Sequence, residues 1–362
     1  MHLRNNDLHF ESVMFRLILF INIVFTTNAL ANTPSTLALL EELRSKIETA
    51  QLGQVTGVKI SNIHTGKTYL EAYAPNIDDD QSHDIRSATK GVTALIIGTL
   101  VDSKKLSVSQ SVGEFFTDKN WPDTINQLTI NQLLTMRSGL ACNDWVNASV
   151  GHEDKMYQTE NWLSFWSKIP KAYEPGQHFS YCTGNVIALG ALISHVAKVP
   201  LPEYAKQVIF NKLSIKTARW QLTPSGLADS GGHLKLTLSD FHKIGILVAN
   251  KGVWHGNRLV SAEWIAKMTQ PHTSIYERPE KYGYLWWRYT YSEREDSIEV
   301  IYAHGNGGNF TFIIDSLDLV VTFTGKAYGT AQQFIPFRFL LNKIIPQFKH
   351  THLNKDQYSK AG

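Results

Sequence analysis

The spacing of apolar residues predicts a helix early in the chain and two strands directly after it. Residues 36–50 carry leucine and isoleucine at helical intervals, which gives one apolar stripe. Residues 55–63 and 68–74 are strand-like runs, and the segment His64-Thr65-Gly66-Lys67 between them is typical of a hairpin turn. This part of the chain therefore predicts a helix followed by a β-hairpin.

The pattern then becomes mostly helical and returns to strands only late in the chain. Helices and loops are predicted across about residues 105–240. Strand-like runs follow at 283–289, 298–303, 309–314 and 319–324, before a final helix over 331–344. Strands from both ends of the chain, with helices first and last, predict an α+β fold. We expect one antiparallel sheet flanked by N- and C-terminal helices, with a helical insertion between its two parts.

The N-terminal segment is predicted to be an export signal. Arg16 precedes an apolar run over residues 17–25, and Ala29-Leu30-Ala31 offers a cleavage site of small residues. The run is too short to span a bilayer as a helix, although an uncleaved anchor is the alternative. Acidic residues before Met14 fit a signal poorly, so Met14 is an alternative start. We predict a signal peptide over residues 1–31 and no membrane insertion after its cleavage.

Composition supports one large domain, or two interleaved domains, after this signal. The 362 residues are 43% hydrophobic and 19% charged, which is enough apolar material for a large core. A formal charge of +3, without a basic stripe, argues against a nucleic-acid surface. We predict a domain over residues 32–345, with the helical subdomain at about 105–240 inserted in it, and a polar tail over 346–362.

Ser87-x-x-Lys90, at the start of the apolar run 91–101, is the best candidate for chemistry. Residues three apart on a helix share a face, so the Lys90 amine can reach the Ser87 oxygen. A neighbouring base makes a serine hydroxyl a useful nucleophile, and backbone N–H groups at a helix N-terminus favour an oxyanion. The alternative is a helix N-cap followed by a solvated lysine.

Two other segments carry candidate catalytic groups. Tyr181 is predicted at a loop-to-helix junction, where a phenol near an ammonium group can relay protons; the alternative is a packed aromatic ring. The motif His304-Gly305-Asn306-Gly307 lies between two strands, where it can direct a backbone N–H at an oxyanion; the alternative is an ordinary hairpin turn.

Several other chemistries are not indicated. The fourteen histidines are dispersed, without His-Glu-x-x-His or Cys-x-x-Cys, so we predict no metal. The sequence has no Gly-x-Ser-x-Gly elbow, which argues against an α/β-hydrolase. The run Tyr282–Trp287 is expected to alternate between core and cleft wall. Cys142 and Cys182 are the two cysteines, and either a disulfide or two free thiols fits.

The ordered set of Ser87-x-x-Lys90, Tyr181 and the glycine-rich motif at His304 resembles the serine β-lactamase and penicillin-binding-protein superfamily. The nearest resemblance is to its class C-like branch, which includes family VIII esterases and 6-aminohexanoate-dimer hydrolases. Other segments that resemble this branch are 133–140, 175–176, 236–241 and 282–287. Together these motifs cover about residues 35–345 in family order, and they imply a β-lactamase/transpeptidase-like fold.

The resemblance also implies roles for individual residues. Ser87 is expected to be the acylated nucleophile, Lys90 its base and Tyr181 a second proton-transfer group. The oxyanion would be bound by the backbone N–H of Ser87 and one from Asn306 or Gly307. This mechanism forms an acyl-enzyme that water hydrolyses, and it needs no cofactor.

Two positions depart from the members of this superfamily that handle β-lactams. Thr183 replaces the asparagine of Tyr-x-Asn, and His304 replaces the lysine of Lys-Thr-Gly. Both positions are expected to bind substrate, and both changes argue against efficient β-lactam or peptidoglycan cleavage. A disulfide between Cys142 and Cys182 would join two loops of the cleft.

The sequence thus predicts an exported serine hydrolase, periplasmic or extracellular, that acts on a small ester, amide or peptide-like substrate. The alternatives are a β-lactamase or DD-peptidase of low activity and an inert binding protein with the same fold.

Overall fold

The computed structural model describes residues 36–117, 119–293 and 296–350, and an eight-stranded antiparallel sheet forms its centre. In chain order, the strands are β1 (Val55–Asn62), β2 (Thr68–Tyr73), β3 (His83–Asp84), β4 (Arg219–Trp220), β5 (Leu234–Leu236), β6 (Val253–Trp254), β7 (Asn257–Arg258), β8 (Thr273–Ser274), β9 (Lys281–Tyr282), β10 (Trp287–Glu293), β11 (Asp296–Gly305), β12 (Asn309–Ile314) and β13 (Leu319–Gly325). The sheet order is β2-β1-β13-β12-β11-β10-β9-β8, so the early hairpin pairs with the last strand.

Helices cover both faces of this sheet. The α-helices are α1 (Thr36–Glu48), α2 (Thr89–Asp102), α3 (Asp123–Asn126), α4 (Ile130–Leu134), α5 (Glu153–Tyr157), α6 (Trp162–Trp166), α7 (Thr183–Ala197), α8 (Leu201–Ala205), α9 (Leu238–Ala249), α10 (Ala262–Thr269) and α11 (Ile335–Phe339). The predicted α+β fold, with terminal helices on a sheet built from both ends of the chain, is confirmed.

The two faces of the sheet carry different helices because strand side chains alternate in direction. On one face, Phe337 of α11 contacts the rings of Tyr302 and Phe310. On the other face, glycines let helices approach closely: a Cβ on Gly91 of α2 would lie 3.3 Å from Ala303, and one on Gly245 of α9 would lie 2.4 Å from the Thr311 hydroxyl.

The helical insertion is closed at its base by a small second sheet. Strand β5 pairs with both β3 and β4, which brings the two ends of the insertion together. Helices α3 to α8 lie between β3 and β4 in the sequence. The sequence analysis predicted the helices but not this small sheet, whose strands are only two or three residues long.

The structure corrects two predicted boundaries. The strand expected over 283–289 begins at Trp287, because Leu285 has a φ of 60° and the Gly283 N–H donates to the Trp286 carbonyl at 2.8 Å. The run Tyr282–Trp287 therefore contains a turn, at residues 283–286 between β9 and β10, and its side chains are all buried and do not alternate between core and cleft wall. The polar tail does not begin at residue 346 either, because the chain stays helical to residue 350 and Phe348 is buried beside Tyr69.

The predicted signal peptide lies outside the described residues, as does the end of the chain after residue 350. Within the described ranges, no single helix is long and apolar enough to cross a membrane. The pair Thr183–Ala197 and Leu201–Phe210 has the required length and composition only when the two are taken together, and it is bent by 71°.

Candidate active site

Ser87 lies on a tight helical turn, Arg86–Ala88, that continues directly into α2. Arg86 has a φ of 50°, a conformation that costs a residue with a side chain about 1–2 kcal/mol. Asp84 holds it there: its carboxylate accepts from the Arg86 N–H at 2.9 Å and pairs with the guanidinium at 3.3 Å. Helix α2 is buried from Thr89 to Leu100, so the turn that presents Ser87 is anchored in the core.

Lys90 is buried and points back at the serine. Its amine donates to the Ser87 Oγ at 3.0 Å and to the Gly231 carbonyl at 2.6 Å, and the residue is 1% exposed. The alternative of a solvated lysine after a helix N-cap is therefore wrong. The predicted i, i+3 contact is present, and the second bond fixes the amine from the opposite side.

Asp229 supports this second bond and was missed by the sequence analysis. It is fully buried; one carboxylate oxygen accepts from the Gly231 N–H at 3.1 Å and the other lies 2.6 Å from His233 Nδ1. Asp229 thus fixes the backbone whose carbonyl holds Lys90. An aspartate before a Gly-Gly pair was the only sequence signal, and it did not indicate which residue that loop approaches.

Tyr181 completes the group around the nucleophile. Its ring centroid is 5.0 Å from the Lys90 amine, which donates to the Ser87 Oγ at 3.0 Å. The residue immediately precedes Cys182 and α7, as predicted, and it is 7% exposed. The structure therefore brings Ser87, Lys90 and Tyr181 together from segments that lie far apart in the sequence.

Burial and charge determine the protonation of this group. Burial lowers the pKa of the Lys90 ammonium, but Tyr181 and the carboxylates of Glu153, Asp144 and Asp229 raise it by more. Burial also raises the pKa of the Tyr181 phenol, and the nearby Lys90 charge opposes this effect without cancelling it. The resting protein therefore holds a protonated lysine beside a protonated tyrosine. A base role for Lys90 requires this ammonium to lose its proton first.

The end of β11 packs directly against the Ser87 turn. A Cβ on Gly305 would lie 1.9 Å from the Ile85 carbonyl oxygen, so only glycine allows this approach. Asn306 and Gly307 follow at once and therefore adjoin Ser87. Within the described residues, the backbone N–H groups of Ser87 and Asn306 donate no hydrogen bond, whereas Gly307 pairs with Ala327 in an isolated bridge. The N–H groups of Ser87 and Asn306 are suited to bind an oxyanion.

The structure gives Thr183 a different role from the one predicted. Its hydroxyl donates to Glu153 Oε2 at 2.6 Å, its N–H donates to Asp144 Oδ2 at 2.6 Å, and it is fully buried. The prediction that Thr183 binds substrate is therefore wrong, because two carboxylates hold both of its polar groups. Asp144 and Glu153 also raise the pKa of the Lys90 ammonium, and sequence spacing did not reveal them.

His304 lies on the same face of the sheet as Phe310. The two rings stack at a centroid distance of 4.2 Å. Burial, aided by the Arg278 charge, lowers the pKa of His304 to about 3, so the imidazole is neutral at pH 7. A substrate contact for His304 stays a prediction, but a charged anchor at this position does not fit.

The raised pKa of Lys90 predicts how the activity depends on pH. A base acts only when deprotonated, so kcat/KM should rise as pH increases from neutral towards alkaline values. Replacing Glu153 with Gln keeps an acceptor for Thr183 but removes a negative charge that raises the Lys90 pKa. We expect the rise to move to lower pH in E153Q. Initial rates of ester hydrolysis between pH 6 and pH 10, corrected for the uncatalysed rate, measure this shift.

The exposed Glu160 lies on the same segment and provides a matched control for the Glu153 substitution. The E160Q profile should overlay the wild-type profile. A profile for E153Q that stays in place, or moves to higher pH, would contradict the proposed charge effect on Lys90.

A disulfide joins Cys142 to Cys182, which are forty residues apart. Of the two states that the sequence left open, a disulfide or two free thiols, the structure contains the disulfide. Cys182 follows Tyr181, and Cys142 is two residues before Asp144. Closing a loop of this length stabilises a fold by about 2–4 kcal/mol. We expect the double variant C142S/C182S to lose stability by this amount in urea unfolding. Two titratable thiols in the unreduced wild-type protein would show that the bond is absent.

A second serine–histidine pair lies elsewhere, in a cavity of about 630 Å³ that is lined by Ser61, His242 and Trp254. Ser61 Oγ is 2.7 Å from His242 Nε2. Burial lowers the pKa of His242 to about 3, and its other nitrogen faces the Thr322 hydroxyl at 2.8 Å instead of a carboxylate. An imidazole of such low basicity activates a serine poorly, so this pair is structural. Among the described residues, no group of three or more His, Cys, Asp or Glu could hold a metal ion.

Comparison with known proteins agrees with this geometry. The 6-aminohexanoate-dimer hydrolase of Paenarthrobacter ureafaciens is 22% identical over 212 residues, covering 54% of this chain and 52% of the relative. The chain thus matches about half the length of that relative. Simvastatin synthase from Aspergillus terreus, as the LovD6 mutant, has a TM-score of 0.70 at 13% identity and covers 89% of this chain and 99% of its own.

A second solved structure with the same fold is the class C beta-lactamase from Rhodobacter sphaeroides. Its TM-score is 0.62 at 16% identity, and the superposition covers 85% of this chain and 98% of that one. The sequence pattern of the family described as Beta-lactamase matches residues 44–334, which is most of the chain. This protein therefore belongs to the Beta-lactamase family.

Proposed function

We propose that this protein is an exported serine hydrolase that cleaves a small ester or amide through an acyl-enzyme on Ser87. One observation carries the proposal: the Ser87 Oγ lies 3.0 Å from the buried Lys90 amine, and the Tyr181 ring centroid lies 5.0 Å from the same amine. A serine bonded to a lysine amine, with a tyrosine ring beside that amine and unpaired backbone N–H groups nearby, is arranged for acyl transfer.

The proposed reaction begins when the Lys90 ammonium loses its proton to solvent. Ser87 Oγ then attacks the substrate carbonyl while its proton passes to the Lys90 amine. The carbonyl oxygen becomes an oxyanion that accepts from the N–H of Ser87 and from that of Asn306 or Gly307. As the tetrahedral intermediate collapses, the leaving group takes a proton, which Lys90 supplies through Tyr181. Water then repeats these steps on the acyl-enzyme and releases the acid.

Three observations favour a small ester or amide over a β-lactam. The relative named above is called a 6-aminohexanoate-dimer hydrolase, a name that gives a dimer of a small amino acid as its substrate. In this chain, Thr183 is buried and cannot hold an acylamino group. The imidazole of His304 is neutral and cannot anchor a carboxylate as an ammonium would.

The proposal of export depends on the apolar run over residues 17–25 and the small residues before Asn32. A disulfide persists in oxidising compartments, which is consistent with a periplasmic or extracellular location. N-terminal sequencing of protein recovered outside the cytoplasm tests this, and a mature chain that begins before Asn32 would contradict the predicted cleavage.

Turnover of three substrates by the wild-type protein and S87A tests the enzymatic proposal. We expect wild-type hydrolysis of p-nitrophenyl acetate, lost in S87A, with little reaction towards nitrocefin. Nitrocefin turnover or lasting labelling by a fluorescent penicillin would instead indicate a β-lactamase or DD-peptidase. No Ser87-dependent reaction with a broad panel of esters and amides would indicate an inert binding protein.

A further inference from the structure

The side of the site that carries Tyr181 presents stacked aromatic rings, of which Trp145 is exposed and Trp287 is buried. Trp145 stacks on Tyr181 with ring centroids 5.4 Å apart and planes 10° from parallel. Trp287 stacks against both rings, at 6.2 Å from Trp145 and 5.8 Å from Tyr181. Trp145 is 45% exposed. Leaving this much apolar indole surface in water is unfavourable in free energy unless a ligand covers it. We call Trp145 and Trp287 the tyrosine-side wall.

The tyrosine-side wall offers no free charge to a ligand. The guanidinium of Arg278 lies over Trp145 at 5.1 Å and over Trp287 at 5.9 Å. That same guanidinium is bound by both carboxylate oxygens of Glu280, at 2.8 Å and 3.2 Å. Because its charge is already paired, Arg278 supports the rings and does not serve as an anchor for an anion.

The strand side of the site carries a second exposed aromatic surface. Tyr328 and Phe334 are each 39% exposed. A Cβ on Gly307 would lie 2.6 Å from the Tyr328 ring, and Phe334 lies 5.8 Å from the ring of His304. We call Tyr328 and Phe334 the strand-side wall. The imidazole of its neighbour His304 is neutral at pH 7, and the Arg86 guanidinium that lies over Tyr328 is paired with Asp84.

Both walls adjoin the group around the nucleophile. Tyr181, on which Trp145 stacks, lies beside the Lys90 amine that is bonded to Ser87. Arg86, the residue before Ser87, stacks its guanidinium on Tyr328 at 4.6 Å. A substrate bonded to Ser87 therefore has the aromatic side chains of both walls nearby. Large exposed hydrophobic side chains on both borders of a reactive group point to an apolar ligand.

We propose that the substrate carries an uncharged apolar acyl group that packs between the tyrosine-side wall and the strand-side wall. This inference rests on the proposed function, since it names the acyl group that Ser87 would accept. Each fully buried methylene contributes about 0.8 kcal/mol, which is about a fourfold change in rate or affinity. Methylenes that are only half covered contribute about half of that free energy, or about a twofold change each.

Comparison of p-nitrophenyl acetate with p-nitrophenyl hexanoate tests the proposal. In the wild-type protein, the four added methylenes should raise kcat/KM by about tenfold or more. The hexanoate-to-acetate ratio of kcat/KM should fall to about one to three in W145A, and it should also fall in F334A. Because Trp145 stacks on Tyr181, kcat/KM for the acetate is measured in each variant as well, and the test is the hexanoate-to-acetate ratio, in which a general loss of rate cancels. W254A, in the remote cavity, provides the control and should keep the wild-type ratio.

A charged analogue of the same length tests the claim that the group is uncharged. We expect p-nitrophenyl 6-aminohexanoate to react at least about tenfold more slowly than the hexanoate. A faster reaction with the amine, or a hexanoate-to-acetate ratio that W145A leaves unchanged, would overturn the proposal while the hydrolase function stood.

Binding to S87A keeps this test separate from turnover. S87A retains both walls, so calorimetry should show tighter binding of p-nitrophenyl hexanoate than of the acetate, and the added W145A change should remove the difference. If the wild-type protein hydrolyses no ester, the proposed function is wrong. The binding measurement would still show whether or not the two walls bind an apolar group.

Discussion

Replacing Lys90 with methionine should lower kcat/KM for ester hydrolysis by a factor on the order of hundreds or more. General-base assistance by a positioned side chain contributes about that much. Methionine fills most of the lysine volume, so the core around α2 should remain packed, although the Gly231 carbonyl loses its hydrogen-bond donor. Steady-state rates with p-nitrophenyl acetate at several pH values measure the effect. The alkaline rise in rate should disappear together with the amine.

Lys59 provides the matched control for this substitution. Its amine is also largely buried and is paired with Glu71 at 2.7 Å, but the residue lies in β1 and lines the remote cavity. K59M should therefore lose some stability and keep its rate within a few-fold of the wild type. A rate for K90M close to that of K59M, with both proteins folded by circular dichroism, would remove Lys90 from the mechanism.

Local sequence patterns were sufficient to predict much of the fold. The apolar stripe over residues 36–50 and the hairpin that follows correspond to α1, β1 and β2, because their signals lie within a few residues. The turn over Tyr282–Trp287 was not predicted, since its aromatic residues favour a strand and only tertiary contacts impose the positive φ of Leu285.

In the candidate site, too, contacts between residues close in the sequence could be predicted, and contacts between distant residues could not. The contact between Ser87 and Lys90 was predicted, because residues three positions apart lie on the same face of a helix. The bond from Lys90 to Gly231 spans 141 positions, and the bond from Thr183 to Glu153 spans 30. Such contacts depend on how the insertion packs against the sheet. No residue pattern near Asp229 or Glu153 indicates them.

If the proposed acyl group binds to the two walls, contacts between distant segments also determine the substrate specificity. Trp145 lies on the loop that the disulfide and Asp144 fix against Tyr181, through a bond from the Asp144 N–H to the Tyr181 carbonyl at 2.8 Å. The loop that shapes the tyrosine-side wall therefore also positions the phenol. Changes of substrate preference at Trp145 should be separable from catalysis only if this loop keeps its anchors.

Replacing Gly305 with alanine should reduce both stability and activity, the latter by about a hundredfold. The added methyl group would lie 1.9 Å from the Ile85 carbonyl oxygen and 3.1 Å from the Ala88 nitrogen, both of which are backbone atoms. The end of β11 must then move away from the Ser87 turn. A displacement of about 1 Å at a reacting centre costs about a hundredfold in rate. Thermal unfolding and kcat with p-nitrophenyl acetate measure the two effects.

A second glycine substitution separates this steric effect from a general loss of chain flexibility. A Cβ on Gly232 would meet its nearest neighbours, the atoms of the Asp229 carboxyl group, at 3.5 Å or more, which is ordinary contact. G232A should therefore retain near-normal stability and rate. If G305A were as active as G232A, the strand end would not be in register with Ser87, and the oxyanion role of the Asn306 or Gly307 N–H would be wrong. A large loss confined to G305A would instead show that acyl transfer requires this contact between sheet and helix.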